Sequence, residues 1–218
     1  MTSKIVVLLL MLPWMLPAYA DKWLPPKPAT FESHRGTYRL TIFPASPGID
    51  VTKSSQEALG SGSNTNPRCE AVLERLDDGG RHYGQVWRTP LTNVVAPVSA
   101  LVSDVDGSFV TFDNWGRMGW GGDVIVLYSA SGVLKKKFSL TDIMSDSDFK
   151  KLPRTASSVH WGGQHELDYA GRTLIVRLVA VEGITAGDKD EGYIEQEGEF
   201  RTVRIDMSSG RILGRESR

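Results

Sequence analysis

Turn sequences that contain glycine recur at short intervals along this 218-residue chain, and they constrain its fold more than any other feature. Glycine readily adopts the positive φ angles of tight hairpin turns, so such turns between apolar segments are typical of antiparallel strands. The spacing therefore predicts an all-β fold built from antiparallel sheets. The clearest turns are Asp77-Asp78-Gly79-Gly80, Asp106-Gly107, Ser131-Gly132 and Ser209-Gly210.

The segments between these turns have strand-like patterns. Thr37–Phe43 alternates polar and apolar side chains, which is the period of a strand with one buried face. The other predicted strands are Ala71–Leu76, Tyr83–Arg88, Ala100–Val105, Ser108–Phe112, Asp123–Tyr128, Leu134–Ser139, Thr173–Val181, Phe200–Ile205 and Arg211–Leu213. Thr141–Leu152 instead favours one or two short helices that cover a sheet edge, because Ser139 and Asp142 have capping-box spacing.

The order of turns and strands also repeats. A turn, two strands, a second turn and a third strand follow one another in each copy, so we expect about three units that differ in loop length. The paired glycines are Gly107 with Gly132, Gly171 with Gly210 and, more weakly, Gly36 with Gly79, which lie 25, 39 and 43 residues apart.

This unit resembles one blade of a β-propeller of the WD40-like or quinoprotein-like kind. Ile205–Ile212 is the closest match, and the likeness covers Ala100–Leu140 and Tyr169–Gly214. The order Trp87-x3-Leu91-x-Asn93, followed by Val110–Trp115, also resembles an uncharacterised family of exported bacterial proteins, which implies no particular activity. A closed propeller usually has about four or more blades. Three units therefore imply an open or incomplete propeller, a β-sandwich, or closure by another chain.

The first residues fit the pattern of a cleaved signal peptide. Lys4 gives a positive start, Ile5–Leu16 is apolar but too short to span a bilayer, and Ala18-Tyr19-Ala20 is a small-x-small cleavage site. Cleavage after Ala20 predicts a periplasmic or secreted protein without a membrane anchor.

The remaining chain divides into an arm and one domain. Residues 21–35 contain Pro25, Pro26 and Pro28, which favour an extended N-terminal arm. A single β-rich domain is expected over 36–218, with a mobile loop over 45–68 because that stretch is rich in Ser, Gly and Asn.

Charge and motifs narrow the function classes. The net charge of −1 provides no positive field for nucleic acid, so none is expected as a partner. Cys69 is alone in the chain, so it cannot form an internal disulfide and is expected as a buried apolar residue. No phosphate-binding loop or nucleophile elbow occurs in the sequence, and no cofactor is predicted.

The richest polar segment is the predicted loop Asp113–Asp123. Its indole faces could stack on a sugar ring or a peptide side chain while polar groups fix the orientation of that ligand. The alternative is that both tryptophans fill the core and that Asp113 or Asn114 hydrogen-bonds the turn backbone. The candidate ligand-binding residues are Asp113, Asn114, Trp115, Arg117, Trp120 and Asp123.

Two histidines form a second candidate cluster. His160 and His165 lie on either side of Gly162 and Gly163, so no helix fixes both rings on one face as a zinc motif would require. We therefore predict solvent-exposed loop histidines and no metal site.

These patterns favour an exported, non-catalytic binding or interaction module of the bacterial envelope. Its partner would be an envelope protein or a small ligand, neither of which the sequence identifies. One alternative is a hydrolase, metal-assisted or not, that uses Asp113, His160 and His165. A third interpretation, a fragment completed by a partner chain, predicts an exposed sheet edge and self-association.

Overall fold

The computed structural model describes residues 23–45, 68–181 and 200–216. Within these ranges the chain forms three four-stranded antiparallel sheets, in which hydrogen-bonded neighbours are also consecutive along the chain. The first sheet contains β1 (Ala29–Glu32), β2 (Tyr38–Phe43), β3 (Glu70–Leu76) and β4 (Tyr83–Pro90). The second contains β5 (Ser99–Val102), β6 (Phe109–Phe112), β7 (Ile125–Tyr128) and β8 (Leu134–Phe138). The third contains β9 (Glu166–Leu167), β10 (Thr173–Val179), β11 (Phe200–Asp206) and β12 (Ile212–Glu216).

Two short helices, α1 (Leu140–Ile143) and α2 (Asp146–Lys151), join the second sheet to the third. Helix α1 begins with the predicted capping interaction, since the Asp142 carboxylate accepts a hydrogen bond from the Ser139 backbone N–H at 2.7 Å. The predicted all-β class, with about three open antiparallel sheets and one or two short helices, is confirmed. In the described part of the chain, neither helix is long and apolar enough to cross a membrane.

The predicted boundary between arm and domain falls inside the first sheet. Strand β1 lies within residues 21–35 and pairs with β2, for example Phe31 with Leu40. It is an edge strand, where prolines in the preceding residues are tolerated because no ladder hydrogen bond is lost. The predicted signal peptide and residues 46–67 of the predicted mobile loop lie outside the described residues.

The second sheet is the middle layer of the molecule. Strands β6 and β7 are buried at every position, as expected of strands covered on both faces. One face packs into a cluster with the third sheet and α1, and the opposite face packs against the first sheet. Phe109 stacks on Tyr128 at 4.5 Å between ring centroids on the side of the first sheet. Cys69 is buried and free in the same cluster, as predicted.

Glycines in the tight turns allow each sheet to approach the one before it. In the turn between β7 and β8, a Cβ atom on Gly132 would lie 2.9 Å from Thr89 Cγ2 of the first sheet. The corresponding Gly210, between β11 and β12, approaches Lys136 of the second sheet in the same way. Both have a positive φ, so backbone conformation and close packing each require glycine. Gly80, the counterpart in the first sheet, has no preceding sheet to meet and lies in open space.

The outer faces of the first and third sheets are charged. On the first sheet Arg39 pairs with Glu74 at 2.8 Å, and Arg88 pairs with Glu70. On the third sheet the pairs are Arg177 with Glu166 at 2.7 Å and Arg204 with Glu216 at 3.2 Å. Exposed ion pairs contribute little to stability, but they make these faces poor surfaces for another apolar sheet.

The antiparallel order separates tight turns from long connections. The turns that contain Arg35, Asp104 and Tyr169 meet at one end, the turn end, where the Arg35 backbone N–H donates to the Asp104 carboxylate and the Arg35 guanidinium contacts Tyr169. The β4–β5, β6–β7 and β8–β9 connections meet at the opposite end, the loop end. There the backbone N–H of Trp115 donates to the Ala96 carbonyl, and the backbone N–H of Val159 donates to the Met118 carbonyl.

Candidate binding site at the loop end

Asp113 organises the loop between β6 and β7. It is buried and adopts a φ of +58°, which turns the chain sharply at the end of β6. Its Oδ1 accepts hydrogen bonds from the Gly119 N–H at 2.6 Å and from Trp161 Nε1 at 3.0 Å. Burial raises the pKa of Asp113 to about 6, although these two hydrogen bonds favour the carboxylate. The side chain therefore holds the loop backbone, which matches the structural alternative predicted for it.

Amide groups tie this loop to the β4–β5 connection. The buried Asn93 donates from Nδ2 to Asn114 Oδ1 at 2.7 Å and to the Asp113 carbonyl at 3.1 Å. Asn114 in turn donates to the backbone carbonyl of Asp123 at 3.4 Å. Of the candidate residues, Asp113, Asn114 and Asp123 are thus brought together as a scaffold of the loop.

The other candidates point in different directions. Trp120 packs on the core edge-to-face with Phe149, at 5.8 Å between centroids, and the Arg154 guanidinium lies over its ring. Arg117 is exposed. The structure therefore does not place these two side chains with Trp115.

Trp115 contacts the N-terminal arm, which the sequence analysis treated as separate from the site. Its Nε1 donates to the Leu24 carbonyl at 2.9 Å, and the Trp23 ring meets it edge-on at 6.2 Å. Trp23 Nε1 donates to Ser157 Oγ at 3.1 Å, so the arm spans from the β6–β7 loop to the β8–β9 connection. The signal that could have identified Trp23 is the presence of one indole in an otherwise proline-rich arm.

The two indoles border an apolar groove with a volume of about 710 Å³, which lies in the usual size range of ligand pockets. Most of its walls are apolar, and its polar lining groups are few. The apolar groove is lined by Trp23, Leu24, Pro26, Lys27, Ala29, Phe31, Ile42, Pro44, Ala96, Pro97, Val98, Trp115, Thr155, Ser158 and His160. Sequence reasoning found Trp115 and His160 but missed the rest, because their contacts join segments far apart in the chain.

The prediction of two solvent-exposed loop histidines is wrong, because His160 and His165 are both half-buried, and His165 is packed against aromatic rings. Its ring stacks on Phe112 at 4.5 Å and on Trp161 at 4.7 Å between centroids. Nδ1 accepts a hydrogen bond from the Arg177 backbone N–H at 3.2 Å. Burial, followed by the positive charge of Arg177, lowers the pKa of His165 to about 4, so the ring is neutral at pH 7. Strand pairing between β9 and β10 packs this half-buried ring against Phe112 and Trp161, which the adjacent glycines did not indicate.

The hydrolase alternative requires Asp113, His160 and His165 to share a cleft. Asp113 and His165 both contact Trp161, whereas His160 lines the apolar groove and the other two do not. Within the described ranges, no group of three or more His, Cys, Asp or Glu residues is arranged to hold a metal ion.

The arrangement is suited to holding apolar or aromatic groups with a small number of hydrogen bonds. Trp115 provides a rigid aromatic surface, and the Asp113 and Asn93 hydrogen bonds fix the loop that carries it.

No protein-family model matches the chain, and no curated protein matches its sequence.

Proposed function

We propose that this protein is an exported, non-catalytic binding module that holds a partner of the bacterial envelope, a protein or a small ligand, in the apolar groove at the loop end. The observation that carries this proposal is the position of the Trp115 ring on the wall of the apolar groove, where its contact with the arm is the edge-to-face contact with Trp23 and the hydrogen bond to the Leu24 carbonyl. Aromatic side chains supply a large contact area at a low cost in conformational entropy, so they are common anchors at binding surfaces.

The remaining candidate residues have supporting roles in this proposal. Asp113, Asn114 and Asp123 position Trp115 through the loop backbone, and Trp120 anchors the far side of the loop on the core. Arg117 is exposed on the same loop and is available to a large partner at the edge of the site. The proposed export to the periplasm or out of the cell is supported by the signal-like pattern of residues 1–20.

The test is capture of partners from envelope extract with three forms of the purified protein. Trp115→Ala removes one of the two indoles that border the apolar groove, whereas Val133→Ser changes a 62% exposed side chain at the turn end. We expect a partner that is retained by the wild type and by Val133→Ser and is lost with Trp115→Ala. Identical partner sets for all three forms, each with a native circular dichroism spectrum, would contradict the proposal.

A further inference from the structure

Trp115 contacts the backbone of the arm and makes no hydrogen bond to an arm side chain among the described residues. Trp115 Nε1 donates to the carbonyl of Leu24, whereas the Leu24 side chain is 83% exposed. Pro25 and Pro26 follow directly and have no backbone N–H. A backbone carbonyl beside prolines is thus the group that Trp115 recognises in this structure.

This geometry has the chemistry of proline-rich peptide recognition. Extended proline-rich chains make no internal hydrogen bonds, so their carbonyls remain free to accept them. Grooves lined by aromatic residues bind such chains by packing against the proline rings, while hydrogen-bond donors in the groove bind the free carbonyls. Here Pro26 lines the apolar groove beside Trp115.

The arm leaves much of the apolar groove unfilled. The volume of about 710 Å³ lies between the arm and walls that include Pro44, Pro97 and Val98. Two side-chain hydrogen bonds, from Trp23 to Ser157 and from Trp115 to Leu24, anchor the arm at its first residues. Pro25 and Pro28 are exposed. An incoming segment therefore has room to dock and few hydrogen bonds to replace.

We infer that the apolar groove binds an extended, proline-containing segment of a partner protein, and that residues 23–28 act as an intramolecular competitor for it. The incoming backbone supplies a carbonyl to Trp115 Nε1 in place of Leu24. The inference rests on the proposed function, since it identifies the kind of partner that the same site holds.

The probe for this inference is a fluorescein-labelled synthetic peptide with the sequence of Trp23–Thr30, and binding is followed by fluorescence anisotropy. The receptor is the purified protein with Trp23→Ala and Pro26→Ala, which loosens the arm without shortening the chain. We expect saturable binding to this receptor. The wild type should bind at least about tenfold more weakly, because a tethered arm competes at an effective concentration in the millimolar range.

Further changes test the recognition chemistry. Trp115→Phe in the loosened receptor keeps a ring but removes the N–H donor, and it should weaken binding about fivefold to tenfold. A peptide in which every proline is alanine should also bind more weakly, because it loses its extended preorganisation. Val133→Ser in the same receptor should leave the affinity unchanged.

Several results would overturn the inference. These are no saturable binding to a receptor that circular dichroism shows to be folded, equal affinity after Trp115→Phe, equal affinity of the alanine peptide, or equal affinity of the wild type. Light scattering that shows wild-type dimers, dissociated by Trp23→Ala and Pro26→Ala, would assign the groove to the arm of a second copy instead. If the peptide fails while a Trp115-dependent partner is still captured from envelope extract, only this inference falls; if both fail, the proposed function falls as well.

Discussion

At the scale of single residues, Trp161 separates two titratable groups whose pKa values are shifted by burial. Asp113 accepts a hydrogen bond from the Trp161 indole, and His165 stacks on the face of that indole. Burial raises the pKa of Asp113 to about 6 and lowers that of His165 to about 4, because it disfavours the charged form of each. Near neutral pH, Asp113 is ionised and His165 is neutral.

The two shifts have opposite effects on stability. Between about pH 4 and pH 6, unfolded Asp113 loses its proton while folded Asp113 retains it, so the free energy of unfolding falls as pH rises. Over nearly the same range, unfolded His165 binds a proton that the folded ring does not, so the free energy of unfolding rises with pH. The contributions largely cancel in the wild type.

Single substitutions should therefore reveal pH dependences of the free energy of unfolding that nearly cancel in the wild type. Asp113→Asn leaves the effect of His165, and its free energy of unfolding should rise by about 2 kcal/mol from pH 4 to pH 6.5. His165→Phe leaves the effect of Asp113, and its free energy of unfolding should fall by a similar amount, about 2 kcal/mol, as pH rises from 4 to 6. Urea unfolding at a series of pH values measures both. Slopes of the same sign in the two variants would contradict this account.

Sequence reasoning reached part of this site. Asp113 was predicted as a loop-organising residue in one of two alternatives, because a carboxylate next to a turn readily accepts backbone hydrogen bonds. Trp23 was missed, since its partner Trp115 lies far along the chain and no local pattern reports such a contact. His165 was misjudged because its environment is created by strand pairing, which the adjacent glycines did not indicate.

At the scale of elements, glycines in equivalent turns differ in what surrounds them. Gly80 and Gly132 both have a positive φ in the turn before the last strand of a sheet. Only Gly132 is pressed against a preceding sheet, at Thr89 and Trp87. The effect of close approach between sheets on stability should therefore be measurable separately from the effect of the positive φ angle.

Alanine at these two positions separates the two roles. Gly80→Ala should lower the free energy of unfolding by about 1 kcal/mol through the strain of a positive φ. Gly132→Ala adds overpacking against Thr89 and should cost about 3 kcal/mol in total. Chemical denaturation compares them, and equal losses at the two positions would show that sheet docking does not depend on Gly132.

Most strands follow from the sequence because alternation and glycine turns are local signals. Strand β1 falls within the predicted arm because the prolines that precede it favour an extended arm. Its four residues, Ala-Thr-Phe-Glu, alternate apolar and polar side chains, but a run this short is a weak strand signal. Strand β9 has two residues, too few for any period to be visible. Both are edge strands, whose existence depends on the neighbour they pair with.

At the scale of the whole molecule, three sheets are stacked with the most buried one in the middle. The described outer faces carry ion pairs such as Arg39 with Glu74 and Arg177 with Glu166. The resemblance to propeller blades stays a prediction. Among the described residues, these charged outer faces disfavour packing against a further apolar sheet.

We therefore expect the purified protein to be a monomer. A fragment that required completion by a second chain would associate through an exposed apolar face, whereas charged faces disfavour such contact. Size-exclusion chromatography with light scattering gives the molar mass directly. A stable dimer or larger assembly over a wide concentration range would support completion by another chain instead.

The central claim is that the loop end, and not the turn end, is the binding face. Photo-crosslinking in the producing cell tests it most directly, with a benzophenone side chain at Val98, which lines the apolar groove, or at Val133, which is exposed at the turn end. We expect a discrete adduct from Val98 that disappears when Trp115→Ala is added, and no such adduct from Val133. The same adduct from both positions, or one from Val98 that persists without Trp115, would contradict it.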